Sequence, residues 1–288
     1  MKFIHLTTIA ALSTSIFSGA SVTAFAEEET IDPKTPSTET RRVTTDGQII
    51  FTPNTDEELI VIPPETGPER PDIEIDPEVP GTTGPLSIMK AATMNFGSQV
   101  ISNQDQSYNM VAEMAKLTNP EEDGPKEVPY VSFAQVQDIR GTNSGWNLQV
   151  SLSNFTSNTQ NNILTGAQIE LNNPRLEYIG TAKNAPSVHP TSLVLRPNNA
   201  AVPVMTAAKG KGAGASSVVW GNQASLNRQF NNDNFDSKID VVENEAIKLS
   251  VPGSTAKDAT TYTSTLTWEL TTIPGEEGPG EPDPEIEA

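Results

Sequence analysis

Trp146 and Leu148 in GWNLQVSL (Gly145 to Leu152), and Trp268 and Leu270 in TYTSTLTWELTTIP (Thr261 to Pro274), place an indole beside an isobutyl group twice in one chain. In a β-strand, residues i and i+2 share a face, so each pair forms an apolar and aromatic patch while Asn147 and Glu269 point the other way. Val150 and Leu152 extend the first patch, and Tyr262, Ser264 and Leu266 extend the second. Two chemistries suit such patches. An indole buries roughly 150–250 Å² in a core, or it lines a groove where its face stacks on a sugar ring or on a partner's strand. The spacing leaves both open.

Groups that could catalyse are sparse. The chain has no Cys, which excludes nucleophilic thiolates, and two His, of which His5 is expected to leave with a signal peptide, so that His189 alone cannot make a two-histidine metal site. His189-Pro190 in a polar stretch reads as a loop. No Gly-x-Ser-x-Gly elbow is present. Lys209-Gly210-Lys211-Gly212-Ala213-Gly214 lacks the order of a phosphate loop and reads as a hairpin tip. Carboxylates remain, because a glycosidase needs only two of them about 5–10 Å apart. Glu243 with Glu245, and Asp233, Asp236 and Asp240 in NNDNFDSKID, are the candidates. Both groups read as solvated, turn-forming segments. A calcium site from Asp233, Asn234 and Asp236 lacks the central Gly and closing Glu of an EF-hand loop.

The elements that must position these residues are mostly strands. Leu86 to Lys90, Val128 to Gln137, Gly145 to Leu152, Ala167 to Leu171, Ser192 to Leu195, Ala246 to Val251 and Thr261 to Leu270 alternate or run apolar between Gly, Pro, Asn and Asp clusters. Asp105 to Leu117 is ambiguous, since Tyr108, Val111, Met114 and Leu117 fit helical spacing while Ser107 to Val111 alternates. The pattern predicts a mainly β fold, a single sandwich or barrel-like, immunoglobulin-like domain over residues 85–274. It follows an acidic Pro-rich linker over residues 27–84, expected to be disordered, in which residues 44–53 could add an edge strand. An acidic tail over residues 275–288 repeats the linker chemistry.

The formal charge of −19 is concentrated in the flanks. Glu27 to Gly84 holds 15 acidic and 4 basic residues, and Gly275 to Ala288 holds 6 acidic and none basic. Pro85 to Pro274 holds 16 acidic and 13 basic residues and is nearly neutral. Nucleic acid and anionic wall polymers are poor partners for such a chain, because their binding relies on Lys and Arg displacing counterions.

Several segments in order, TTGPLSI (Thr82 to Ile88), MNFGSQVIS (Met94 to Ser102), VQDIRGTNSGWNLQVSL (Val136 to Leu152), LTGAQIEL (Leu164 to Leu171) and YTSTLTWEL (Tyr262 to Leu270), resemble the WxL cell-wall-binding proteins of Gram-positive (Firmicute) bacteria. The resemblance covers Thr82 to Pro274. It implies a secreted, non-enzymatic protein held non-covalently on the cell surface through peptidoglycan. It also implies that Trp146, Leu148, Trp268, Leu270 and Tyr262 carry wall or partner binding, and that other co-produced WxL-locus surface proteins, or host matrix proteins, are further partners. A wall hydrolase is the remote alternative. The acidic tail is a departure, since the second Trp-x-Leu strand normally lies almost at the family's terminus.

The compartment has its own signals. Met1 to Ala26 carries Lys2, an apolar run and Ala24-Phe25-Ala26, the plan of a cleaved signal peptide. Its apolar run is short of the roughly 20 residues a membrane span needs, and no other stretch reads as a transmembrane anchor. The carboxyl end lacks the sorting motif, apolar helix and basic tail of covalently attached wall proteins. No metal or other cofactor is expected.

Overall fold

The computed structural model describes residues 48–51, 60–64, 71–77, 79–236 and 239–272. The expected signal peptide, most of the linker and the acidic tail lie outside the described residues. The chain divides into two units, Met1–Ile49 and Ile50–Ala288, and the second holds every element below. Its first strands are β1 (Ile73–Glu74), β2 (Leu86–Lys90), β3 (Gln106–Val111), β4 (Glu113–Leu117), β5 (Glu127–Tyr130), β6 (Ser132–Asp138) and β7 (Trp146–Leu152). There follow β8 (Gln168–Asn172), β9 (Arg175–Tyr178), β10 (Ser187–Val188), β11 (Ser192–Leu195), β12 (Val202–Ala207) and β13 (Gly214–Trp220). One helix, α1 (Gln223–Phe230), precedes β14 (Glu243–Val251) and β15 (Leu266–Thr272).

The mainly β class is as expected, but the architecture is not clearly a sandwich. The strands form small antiparallel sheets in a ring: β1-β4-β5, β10-β12-β7-β15, β11-β8-β14-β3 and β2-β6-β13-β9. The ring looks like a propeller, yet its strand orders interleave distant parts of the chain, whereas a propeller blade is built from consecutive strands. Bulges help to keep the sheets small: the register shifts between Ile88 and Lys90, between Pro203 and Met205, and between Asn244 and Lys248. At the last of these, the buried Asn244 amide donates to Ser132 Oγ and the Trp220 carbonyl, and its oxygen accepts from Ala246 N–H.

Two apolar cores result. The three four-stranded sheets share the larger one, which includes Val136, Trp146, Leu148, Val150, Ile169, Met205, Trp220 and Ile247. Because side chains alternate faces, β6 and β13 also feed a smaller core through Phe133 and Val219 on their opposite side. The smaller core is closed by β1, by β5 and by Leu226 of α1. A sheet buried on both faces explains why SFAQVQD and GASSVVW are buried almost continuously instead of alternating.

The linker departs from expectation where it meets this second core. Ile73 is buried and Val61 packs beside it. The Gln135 side chain bonds both N–H and C=O of Ile62, and Tyr130 Oη donates to the Pro64 carbonyl. These described pieces are therefore held on the domain, whatever the acidity of their surroundings. Of the expected edge strand over residues 44–53, the described part, residues 48–51, is irregular, with Ile49, Ile50 and Phe51 exposed.

Asp105 to Leu117 resolves to strands β3 and β4, not helix. The expected Val128 to Gln137 strand breaks at Val131, whose N–H bonds Gln223 Oε1 of α1 in place of a ladder partner. The Gln223 amide donates to the Pro129 carbonyl. A polar helix side chain thus satisfies the backbone on both sides of the break.

Candidate functional site

The two Trp-x-Leu segments become neighbouring antiparallel strands. β15 pairs with β7 in a register that sets Leu270 opposite Leu148, Trp268 opposite Val150 and Leu266 opposite Leu152. Both motifs face the larger core, but to different depths. Trp146 and Leu148 have no exposed surface, while Trp268, Leu270 and Tyr262 are half-buried and packed against that core. The opposite face of β15 presents Thr267, Glu269 and Thr271 to solvent. β15 is also the sheet's edge. In an antiparallel ladder alternate residues bond the partner, and the Ser153 N–H to Thr265 carbonyl bond fixes which. The backbone groups of Leu266, Trp268, Leu270 and Thr272 consequently point away from β7.

Trp146 sits in a socket made by the segments around it. Its Nε1–H donates to the Gly212 carbonyl at 3.1 Å. Gly212 has φ +74, and a Cβ there would lie 2.7 Å from Trp146 Nε1 and 2.4 Å from the Ala207 Cβ, so only glycine fits. The Lys209 to Gly214 segment is therefore not a hairpin tip. It joins β12 and β13, which belong to different sheets, and is pinned by Gly210 N–H to the Asn143 carbonyl and Gly212 N–H to the Asn184 carbonyl. On the other side, Arg140 makes a two-pronged bond with buried Asp138 and donates to the Gly145 carbonyl, which fixes the turn entering β7.

Trp220, which the spacing analysis did not single out, is fully buried and completes an aromatic row. Its ring centroid lies 6.4 Å from that of Trp268 and 5.9 Å from the His189 ring. Trp220 Nε1–H donates to His189 Nε2 at 2.9 Å, so Nδ1 carries the proton and donates to the Pro190 carbonyl at 2.6 Å. His189 is thus a buried residue and not an exposed loop group. Its burial pushes the imidazole below its ordinary value, partly offset by the Pro190 hydrogen bond. A neutral ring, bonded through both nitrogens and stacked on the Trp220 indole, acts as structure.

Where the β15 line begins, the structure opens a groove of about 1040 Å³. One wall is Met94 to Ile101, the other Lys257 to Ser264, and Tyr108, Leu152, Phe155, Leu164 and Leu249 form its floor. In the first wall, Val100 and Ile101 stand 89% and 55% exposed. The second wall is braced. Tyr262 Oη donates to the Asn161 carbonyl at 2.6 Å and accepts from Asp258 N–H. Bonds from the side chain and backbone of Asn161, then from Thr159, hold the Asp258 carboxyl below its usual range. Lys257 Nζ donates to the carbonyls of Ser102, Pro252 and Thr255, which ties the far ends of both walls together.

The carboxylate candidates do not converge. Glu243 Oε2 accepts from Asn109 Nδ2 while its backbone N–H donates to Gln229 Oε1 of α1, Asp233 and Glu245 are exposed, and Asp240 Oδ2 accepts from Asp236 N–H within its own turn. Among the described residues there is no group of three or more metal-ligating side chains and no helix long and apolar enough to cross a membrane.

A family model described as "WxL domain surface cell wall-binding" matches residues 38–274. No curated protein and no solved structure matches the chain significantly.

Proposed function

Because this chain belongs to the WxL domain surface cell wall-binding family, we propose that it is a non-catalytic surface protein held non-covalently on the wall by this domain binding peptidoglycan. The observation that carries the reading is a convergence. MNFGSQVIS and the start of YTSTLTWEL lie about 160 residues apart in sequence, yet face each other across one groove. Trp146 and Leu148 are too deeply buried to touch a polymer. They serve by fixing β7, against which β15 sets the half-buried Trp268 and Leu270, while the half-buried Tyr262, which precedes β15, lines the groove. The family is wall-binding and not catalytic, which agrees with scattered carboxylates that are either engaged or solvated.

A second reading rests on the outer edge of β15. Its outward backbone groups could add a strand from a co-produced surface protein or a host matrix protein. Sedimentation of the purified full chain with acid-stripped peptidoglycan sacculi separates the two. Wall binding predicts that the wild type pellets, and that a folded Trp268→Phe variant pellets less. A chain that stays in solution with bare sacculi but pellets once a partner protein is added would transfer the function to the β15 edge.

A further inference from the structure

We propose that the groove between Met94 to Ile101 and Lys257 to Ser264 is a saccharide site that takes an uncharged, N-acetylated glycan chain and not a peptide or a phosphate polymer. This rests on the wall-binding reading and names the part of the wall that is held. The argument begins with charge. Among the described residues, two ionic side chains, Lys257 and Asp258, line the groove, and both are committed within the fold. Lys257 Nζ is consumed by three backbone carbonyls at 2.9–3.1 Å. Asp258 accepts from Asn161 N–H at 2.9 Å and from Asn161 Nδ2 at 2.7 Å. A ligand carrying carboxylates, ammonium or phosphate would give up water there without meeting a free countercharge, and such burial is unfavourable unless the charge is paired. Stem peptides with free ionic ends and anionic wall polymers are disfavoured on that ground.

The neutral groups that remain suit a sugar. The exposed Ser98, Thr260 and Thr261 bring hydroxyl groups to the lining, beside Gln99, whose Nε2 donates to the Phe96 carbonyl. Half-buried Tyr108 and buried Phe155 of the floor, with half-buried Tyr262 of the second wall, form an apolar and aromatic surface. A pyranose ring has the same division, hydroxyls at its edge and C–H groups on its face, and an acetamide adds a methyl group and one donor–acceptor pair. An apolar surface with a few convergent polar groups is the common make-up of small-molecule sites.

The test uses the full chain and the β-1,4-linked hexamer of N-acetylglucosamine as probe, with a soluble stem tetrapeptide as the charged competitor, in isothermal titration. Ser98→Arg combined with Thr260→Arg adds bulk from both walls at exposed positions, and circular dichroism checks that the variant is folded. The expected result is saturable hexamer binding by the wild type, weakened at least about tenfold in the variant, with the tetrapeptide weaker than the hexamer. No hexamer binding, equal binding by the variant, or tighter tetrapeptide binding would each overturn the proposal. Sacculi run in parallel separate it from the broader reading. Sedimentation without hexamer binding removes the groove assignment and leaves wall binding in place, whereas hexamer binding without sedimentation upholds the groove and removes wall attachment.

Discussion

Trp146→Ala deletes an indole with no exposed surface whose Nε1–H is met by the Gly212 carbonyl. The expected loss is about 3–5 kcal/mol of unfolding free energy, read by urea denaturation. A loss under about 1 kcal/mol would show that the socket collapses easily around the gap. Trp268→Phe keeps an aromatic ring at a half-buried position and should cost less than the Trp146 change, which makes it the usable probe of binding. His189 adds a pH dependence whose sign follows from its neutral, buried state. Its folded pKa lies below the ordinary 6.5, so below 6.5 the unfolded chain binds the extra proton first. The stability it contributes is present above 6.5 and is lost as pH falls through the folded value, and thermal melts across that window should show it in the wild type and not in His189→Gln. At this scale the sequence announced which residues share a face but not how deep each lies. The two Trp-x-Leu tripeptides, Trp-Asn-Leu and Trp-Glu-Leu, differ in depth because β7 is flanked by β12 and β15 while β15 has one neighbour.

β15 is the element on which wall and partner readings diverge, and its edge is open to measurement. Amide hydrogen exchange should be slow at Thr267, Glu269 and Thr271, whose N–H groups bond β7, and faster at Leu266, Trp268, Leu270 and Thr272, whose N–H groups face outward. Uniform protection along all seven residues in the isolated chain would mean that something already covers the edge. Much of the strand pattern was legible beforehand. Leu86 to Lys90 and Ser192 to Leu195 appear with the expected bounds, and the first Trp-x-Leu strand differs by one residue. The elements missed have physical reasons. β1, β9 and β10 are only two to four residues long, β12 carries Pro203 at a bulge in a central strand, β13 starts in a Gly-rich run and is buried on both faces, and α1 is a short polar helix. Asn222, whose side chain accepts from Ser225 N–H, was a readable cap signal for that helix.

For the molecule as a whole, charge distribution decides how the wall can be held. Residues 85–274 carry 16 acidic and 13 basic side chains, so attraction to a charged polymer contributes little. Sedimentation with sacculi should change less than about twofold between roughly 0.05 and 0.5 M salt, although the screening length shortens from about 14 Å to about 4 Å over such a range. A steep fall with salt would point to ionic binding instead. Composition told the acidic flanks from the neutral domain, but it did not reveal that linker residues such as Val61 and Ile73 join a second core, because those apolar residues are isolated among Pro and Glu. Nor did it show the ring of small sheets, since strand order depends on pairings between distant segments. The groove was invisible for the same reason, its walls being brought together only by the fold. The most direct test of the central claim is a hydroxyl-radical footprint of the full chain free and bound to acid-stripped sacculi. Protection confined to Met94 to Ile101, Lys257 to Ser264 and Trp268 is the predicted result. A wall-bound chain that leaves those side chains as reactive as before, or a chain that does not bind sacculi at all, would contradict it.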